Sequence, residues 1–191
     1  LTPRAYHRTP EMHLREGSLV TDWGRHNIGY LKDITPYGAT FQPLDLKGYQ
    51  KEKALQYVLL RDAYERLYRY ESNLHEANVQ WREHLNTCYD EFVMRYGNLN
   101  AKQNVKLVMM DAGGRDILSL ERVENGKFVK ADIFERPVSF AVESHANIGS
   151  PEEALSASLN KFGTVDLDYM REITDSTAEE LLTALQGRIY Y

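Results

Sequence analysis

The alternation of hydrophobic and polar positions divides the chain into segments of different character. Residues 1–16 are polar and contain two prolines, which predicts a partly disordered connector rather than a packed element. Between residues 18 and 46, short runs of β-branched and aromatic residues are separated by turn sequences around Gly24 and Gly38. This second pattern predicts a small antiparallel β-meander.

Residues 48–97 show a helical periodicity. Apolar residues recur at spacings of three and four in two successive stretches, which predicts two long helices that meet near Ser72-Asn73-Leu74. The apolar stripes consist of Leu55, Leu59, Ala63, Leu67 and Tyr70 in the first stretch and of Leu85, Tyr89, Phe92, Val93 and Tyr96 in the second. We expect a long antiparallel helical hairpin that acts as an architectural spacer.

The region 104–142 contains three further strand-like runs, which predict a second β-meander. These runs begin at Val105, Ile117 and Lys127. A turn at Gly113-Gly114 would join the first pair. Asn125-Gly126 would join the second pair, because both residues tolerate the positive φ angles of a two-residue hairpin turn.

The region 151–191 returns to a helical pattern. Ser150-Pro151 supplies an N-cap and a proline at the first helical position, and Ser176 opens the last helix with a capping box. We expect a three-helix, winged-helix-like array that ends in a strand-like segment. The fold class is therefore α+β, with an α+β domain over 17–150 and the array over 151–191.

Composition and charge indicate a soluble, cytoplasmic protein. Hydrophobic residues make up 42% of the chain, but no apolar run reaches the about 18 residues of a membrane span. The lone Cys88 has no partner for a disulfide, which favours a reducing compartment. The chain starts at Leu1 and ends in a strand-like segment without a polar tail, and this predicts a piece of a longer polypeptide.

The net charge of -5 argues against a general phosphate-binding surface. Residues 151–191 alone hold eight acidic and three basic residues. Glu179 and Glu180 at the start of the last helix would repel phosphates, so this array is expected to pack against a partner rather than to read a DNA groove.

Arginines and tyrosines interleave along the helical hairpin and form a candidate nucleic-acid or partner surface. Its members are Tyr57, Arg61, Tyr64, Arg66, Tyr68, Arg69, Arg82 and Arg95. Such interleaving suits a surface that grips a phosphate backbone and stacks bases. Carboxylates one turn before the arginines, such as Asp62 before Arg66, indicate instead an ordinary charge-paired solvated face. The mixed charge favours this second interpretation.

No catalytic, cofactor-binding or metal-binding residue is predicted. His75-Glu76 begins like a His-Glu-x-x-His zinc motif, but Val79 occupies the position of the second histidine. His84 and Cys88 are one helical turn apart, and a structural cysteine is favoured over an activated thiolate. The enzyme alternative is a cleft that uses Asp111, Glu121 or His84.

Several segments after residue 17 carry a family resemblance. They include Gly29-Tyr30-Leu31 through Phe41-Gln42-Pro43-Leu44, Leu60-Arg61-Asp62-Ala63-Tyr64, Tyr89-Asp90-Glu91-Phe92-Val93, Lys130-Ala131-Asp132-Ile133-Phe134, Gly163-Thr164-Val165-Asp166-Leu167 and Leu185-Gln186-Gly187-Arg188-Ile189-Tyr190. In this order they resemble a region of large phage, plasmid and conjugative-element proteins. Those proteins join an adenine-specific DNA methyltransferase to a superfamily-two, Swi/Snf-like helicase, and phage antirestriction proteins are among them.

The resemblance implies flanking methyltransferase and helicase domains as partners, with DNA contacted through the parent protein. S-adenosylmethionine and ATP are implied only for that parent. The chain lacks the Asn-Pro-Pro-aromatic methyltransferase motif, the Walker A loop and the Asp-Glu helicase box, so no catalytic residue is carried over. The resulting hypothesis is a non-catalytic connector. The alternatives are direct nucleic-acid binding, through the helical hairpin or the terminal array, and a small stand-alone enzyme.

Overall fold

The computed structural model describes residues 1–141, which begin with a four-stranded antiparallel sheet of order β1-β4-β3-β2. Its strands are β1 (Arg4–Ala5), β2 (Leu19–Asp22), β3 (Asn27–Thr35) and β4 (Gly38–Pro43). The meander predicted over 18–46 is confirmed. Gly29 of β3 lies against β4, and a Cβ atom there would stand 2.4 Å from the Gln42 carbonyl oxygen, so only glycine fits.

Residues 1–16, predicted to be a partly disordered connector rather than a packed element, contain a paired strand. β1 adds an edge strand to the sheet by pairing with β4, and the Tyr6 backbone N–H donates to the Ala39 carbonyl at 2.8 Å. The Tyr6 ring is buried with Phe41 in a small core. Burial of this aromatic ring and the pairing of the backbone hold the segment in place. Proline content alone does not predict either interaction.

The predicted helical hairpin is confirmed as α1 (Gly48–Leu74) and α2 (Val79–Tyr96). The junction lies just after the predicted one. His75 ends α1 in the left-handed conformation, and the Asn78 side chain caps α2 by accepting from the Trp81 N–H. With 27 residues, α1 is about 40 Å long at 1.5 Å rise per residue.

The second predicted meander is wrong in its first strand and in the beginning of its second strand. The chain forms two short helices, α3 (Lys102–Val108) and α4 (Gly114–Leu118), before the hairpin of β5 (Glu121–Glu124) and β6 (Lys127–Lys130). The segment is helical because its buried residues recur at helical spacing: the polar Asn104 lies on the same helical face as Leu107 and Val108.

The final hairpin matches its prediction. Asn125 and Gly126 both have positive φ angles, 51° and 75°, as the two-residue turn requires. The last strand-like residues, however, form a 3₁₀ turn at Asp132–Phe134.

The sheet is packed on both faces. Leu19 and Ile28 join the large core of the helices, whereas Val20 and Leu31 point into the small core with Phe41. Leu1–Ala141 forms one unit of the chain. The predicted three-helix array over 151–191 lies outside the described residues.

Within residues 1–141, none of the helices has the length and hydrophobicity needed to cross a membrane.

Candidate functional site

A buried polar network joins the sheet, α1 and the loop between α3 and α4. The Asp111 carboxylate accepts hydrogen bonds from Arg61 Nη1 at 2.9 Å, from the Leu19 N–H at 2.9 Å and from the Tyr57 hydroxyl at 2.6 Å. Arg61 Nη2 donates to the Leu19 carbonyl at 2.7 Å. Because β2 is an edge strand, Asp111 and Arg61 satisfy its free backbone groups in place of a further strand.

The network extends from Arg61 to a second carboxylate, that of Asp62. Arg61 Nε also donates to Asp62 at 3.0 Å, and His13 Nε2 lies 3.0 Å from the same carboxylate oxygen. Burial opposes the charged form of Arg61, but Asp62 and Asp111 raise the pKa of Arg61 overall. Burial likewise raises the pKa of Asp62, yet the bond to His13 and the charge of Arg61 lower it overall. The network is therefore an ionised structural clamp.

A second buried carboxylate organises the loop after α2. Glu121 accepts hydrogen bonds from the Tyr89 hydroxyl, the Asn98 and Asn100 side chains, and the Leu99 and Asn100 backbone N–H groups. Burial raises the pKa of Glu121, but these donors outweigh burial and lower it below 4.5. Glu121 thus anchors the loop to β5.

A third pair braces the end of the helical hairpin at which α1 and α2 are joined. Arg82 Nη2 bonds to Glu71, and Arg82 Nε donates to the Ile133 carbonyl at 2.9 Å. The other Glu71 oxygen accepts from the Asn78 N–H at 2.9 Å. Arg82 therefore connects α2 to α1 and to the residues after β6.

The structure separates the eight residues of the predicted arginine and tyrosine surface. Those in the interior are Tyr57, Arg61 and Arg82, so they contribute no exposed surface. Those that hold the N-terminal segment are Arg66, paired with Glu11 at 2.9 Å, and Arg69, bonded to the Met12 carbonyl at 3.2 Å. The rest are Tyr64, which is half-buried, Tyr68, at the border of exposure, and Arg95, which is exposed on α2.

The three residues of the enzyme alternative lie in different surroundings. Asp111 and Glu121 belong to separate networks, and exposed His84 has its Nε2 3.6 Å from Cys88 Sγ. They share no hydrogen-bond partner within residues 1–141. Burial raises the pKa of Cys88, which disfavours the thiolate. Within the described residues, no group of three or more His, Cys, Asp or Glu side chains is placed to hold a metal ion.

A basic groove lies beside the Asp111 network, and sequence patterns did not predict it. Its volume is about 680 Å³, and we name it the Arg15 groove. The side chains that line it include Arg15, Tyr30, Lys32, Met109, Met110, Arg115 and Asp116. A smaller adjoining cavity shares Arg15, Asp111 and Asp116 and reaches Arg69. These residues come from three separate segments without a motif, so only the tertiary fold reveals the groove.

Comparison with known proteins gives one match. A family model described as "Probable helicase, winged helix domain" matches residues 147–191. No curated protein and no solved structure matches the chain. The match supports a helicase-associated domain in this stretch, which follows the described residues, and it agrees with the helicase part of the resemblance.

Proposed function

We propose that this chain is a non-catalytic module of a helicase-type DNA-processing protein, in which it connects and orients neighbouring domains. The observation that carries the proposal is the helicase winged-helix match over residues 147–191. Helix-turn-helix domains act by docking on nucleic acid, which is a binding role.

The construction of residues 1–141 supports the connector role. The core of the helical hairpin is continuous with the sheet, and the Asp111, Glu121 and Glu71 networks each fix chain segments that are distant in sequence. Fully satisfied buried polar networks rigidify the surrounding elements. A rod about 40 Å long, held this firmly, suits the fixed separation of two neighbouring domains.

The proposed neighbours are an adenine-specific DNA methyltransferase and a helicase motor in a mobile-element or antirestriction protein. Their support is the family resemblance, together with the helicase match. In this arrangement S-adenosylmethionine and ATP are bound by those neighbours. Within residues 1–141, the buried carboxylates of Asp111 and Glu121 are engaged in structural hydrogen bonds, and we assign the chemistry to the adjoining domains.

Direct nucleic-acid binding is the second candidate function, because the Arg15 groove presents basic side chains in a concave site. A protein that recognises duplex DNA inserts a convex element, such as a helix, into the major groove, so the concave Arg15 groove does not suit this mode of binding.

Calorimetric titration of the full chain with the helicase motor from the same polypeptide tests the connector proposal. We expect saturable one-to-one binding, and no hydrolysis of ATP or transfer of methyl groups by the chain alone. Absence of binding to both the motor and the methyltransferase, or an activity of the chain that a point variant abolishes, would contradict it.

A further inference from the structure

We propose that the Arg15 groove binds single-stranded nucleic acid, with Arg15, Lys32 and Arg115 contacting phosphates and an unpaired base lying against Tyr30, Met109 and Met110. This inference rests on the proposed function for its nucleic-acid context. It names a site on the described unit, apart from the winged-helix match at residues 147–191.

The charge of the groove favours a polyanion. Arg15, Lys32 and Arg115 form no ion pair with any carboxylate of residues 1–141. Of the two acidic residues that line the groove, Asp111 is buried and paired with Arg61, whereas Asp116 is exposed. The groove therefore concentrates positive charge within a unit that is nearly neutral, since residues 1–141 contain 20 basic and 19 acidic residues. Concave sites lined by one sign of charge focus the electrostatic potential on their ligand.

The central cation of the groove is held in place before any ligand binds. Arg15 Nη2 donates to the Ala112 carbonyl at 2.8 Å, and the Arg15 backbone N–H donates to the Ser18 hydroxyl at 2.9 Å. A guanidinium carries five N–H donors, so most of them remain for phosphate oxygens. Prior ordering of this long side chain lowers the entropy lost on binding.

The groove surface explains the preference for a single strand. Tyr30 and Met110 pack against the core, and Met109 is 47% exposed. Such a surface accepts the face of an unstacked base, which duplex bases do not offer. The volume of about 680 Å³ is that of a site for a small ligand, enough for one nucleotide. A concave site of this kind does not enter the major groove of a duplex.

Fluorescence anisotropy of the full chain tests the proposal with a labelled oligothymidine and a duplex of the same length, at low and moderate salt. We expect tighter binding to the single strand, weakened by salt. Binding to the duplex at equal or greater strength would overturn the proposal. So would the absence of single-strand binding at low salt.

Neutralising Lys32 and Arg115, whose charged groups form no ion pair or side-chain hydrogen bond within residues 1–141, locates the site; the Lys32 ammonium lies 5.5 Å from the centre of the Tyr30 ring. In Lys32→Gln with Arg115→Gln, the slope of log K against log salt is expected to fall by about 1.4, at about 0.7 for each single-strand phosphate contact. Arg95→Gln is the matched control, because Arg95 is an exposed arginine on α2 outside the groove. An unchanged slope in the double variant, or an equal effect of Arg95→Gln, would place binding elsewhere and overturn the proposal.

The base contact and the source of the phosphate have separate measurements. Tyr30→Leu keeps an apolar groove surface but removes the aromatic face, and is expected to weaken oligothymidine binding by roughly tenfold.

Thymidine monophosphate and inorganic phosphate should compete only weakly. If either competes as well as the oligonucleotide, the site binds free anions and the strand proposal fails. Failure of the connector proposal appears separately, as a lack of binding to the motor in calorimetry.

Discussion

Asp111 ties the edge of the sheet to α1 through one buried carboxylate. Its three donors come from β2 and from two successive turns of α1, and its side chain is fully buried. The carboxylate offsets the buried charge of Arg61 and also satisfies a strand backbone. Loss of one member leaves the others unsatisfied in a low-dielectric interior.

Asp111→Ala is expected to lower the free energy of unfolding by about 3–5 kcal/mol, because it leaves the Arg61 charge buried without its partner. Urea denaturation of the full chain measures this change through the midpoint. Asp116→Ala is the control, since Asp116 is an exposed carboxylate five residues along the same segment. Equal midpoints for the two variants would show that the network contributes nothing specific.

Gly29→Ala is expected to destabilise the sheet by about 1–3 kcal/mol through overpacking. The added Cβ atom would stand 2.4 Å from the Gln42 carbonyl and 2.8 Å from the Phe41 ring, so the backbones of β3 and β4 must separate. Gly24→Ala provides the comparison, because its Cβ would meet nothing closer than Asp22 at 3.5 Å. The account is contradicted if thermal unfolding midpoints of both variants equal that of the wild type.

At the level of elements, Glu121 couples α2, the loop after it and β5. The folded protein holds the pKa of Glu121 below 4.5, so its carboxylate stabilises the fold above that value. This contribution disappears as the pH falls through the folded-state pKa. Acidification should therefore loosen the contact between α2 and β5.

Glu121→Gln is expected to be less stable than the wild type at neutral pH, with a difference that narrows as the pH falls below 4.5. Urea midpoints over a pH series measure this difference. Glu124→Gln serves as the control, because Glu124 is exposed on the same strand. A gap for Glu121→Gln that stays constant with pH, or a matching trend in the control, would rule out the assigned role.

Periodicity predicted some elements and failed at others for physical reasons. The helical hairpin was predictable because its apolar stripes repeat over many turns. The sequence predicts a strand from Val105 to Met110. The helical pattern of α3 escapes a hydrophobicity analysis because its buried face includes a polar residue. Asn104 lies in the core, where its amide donates to the Tyr96 carbonyl at 2.8 Å and its oxygen accepts from Lys53. Hydrophobicity alone cannot identify a satisfied buried amide.

The candidate site shows the same limit at the level of the whole molecule. The arginines and tyrosines of the helical hairpin are predicted from the sequence as one candidate surface, with a charge-paired solvated face as the favoured alternative, but the Asp111 network draws Tyr57 and Arg61 inward. The Arg15 groove combines residues that are far apart in the sequence, such as Arg15 and Arg115. Neither outcome follows from local spacing, because both depend on how the sheet packs against the helices.

We propose that this chain connects a helicase motor to its neighbour and does no chemistry itself. DNA-stimulated ATP hydrolysis by the motor, measured with and without the chain joined to it, is the decisive experiment. We expect the chain alone to hydrolyse no ATP and the joined protein to show altered DNA stimulation relative to the motor alone. Identical DNA stimulation with and without the chain, at matched protein and DNA concentrations, would contradict the claim.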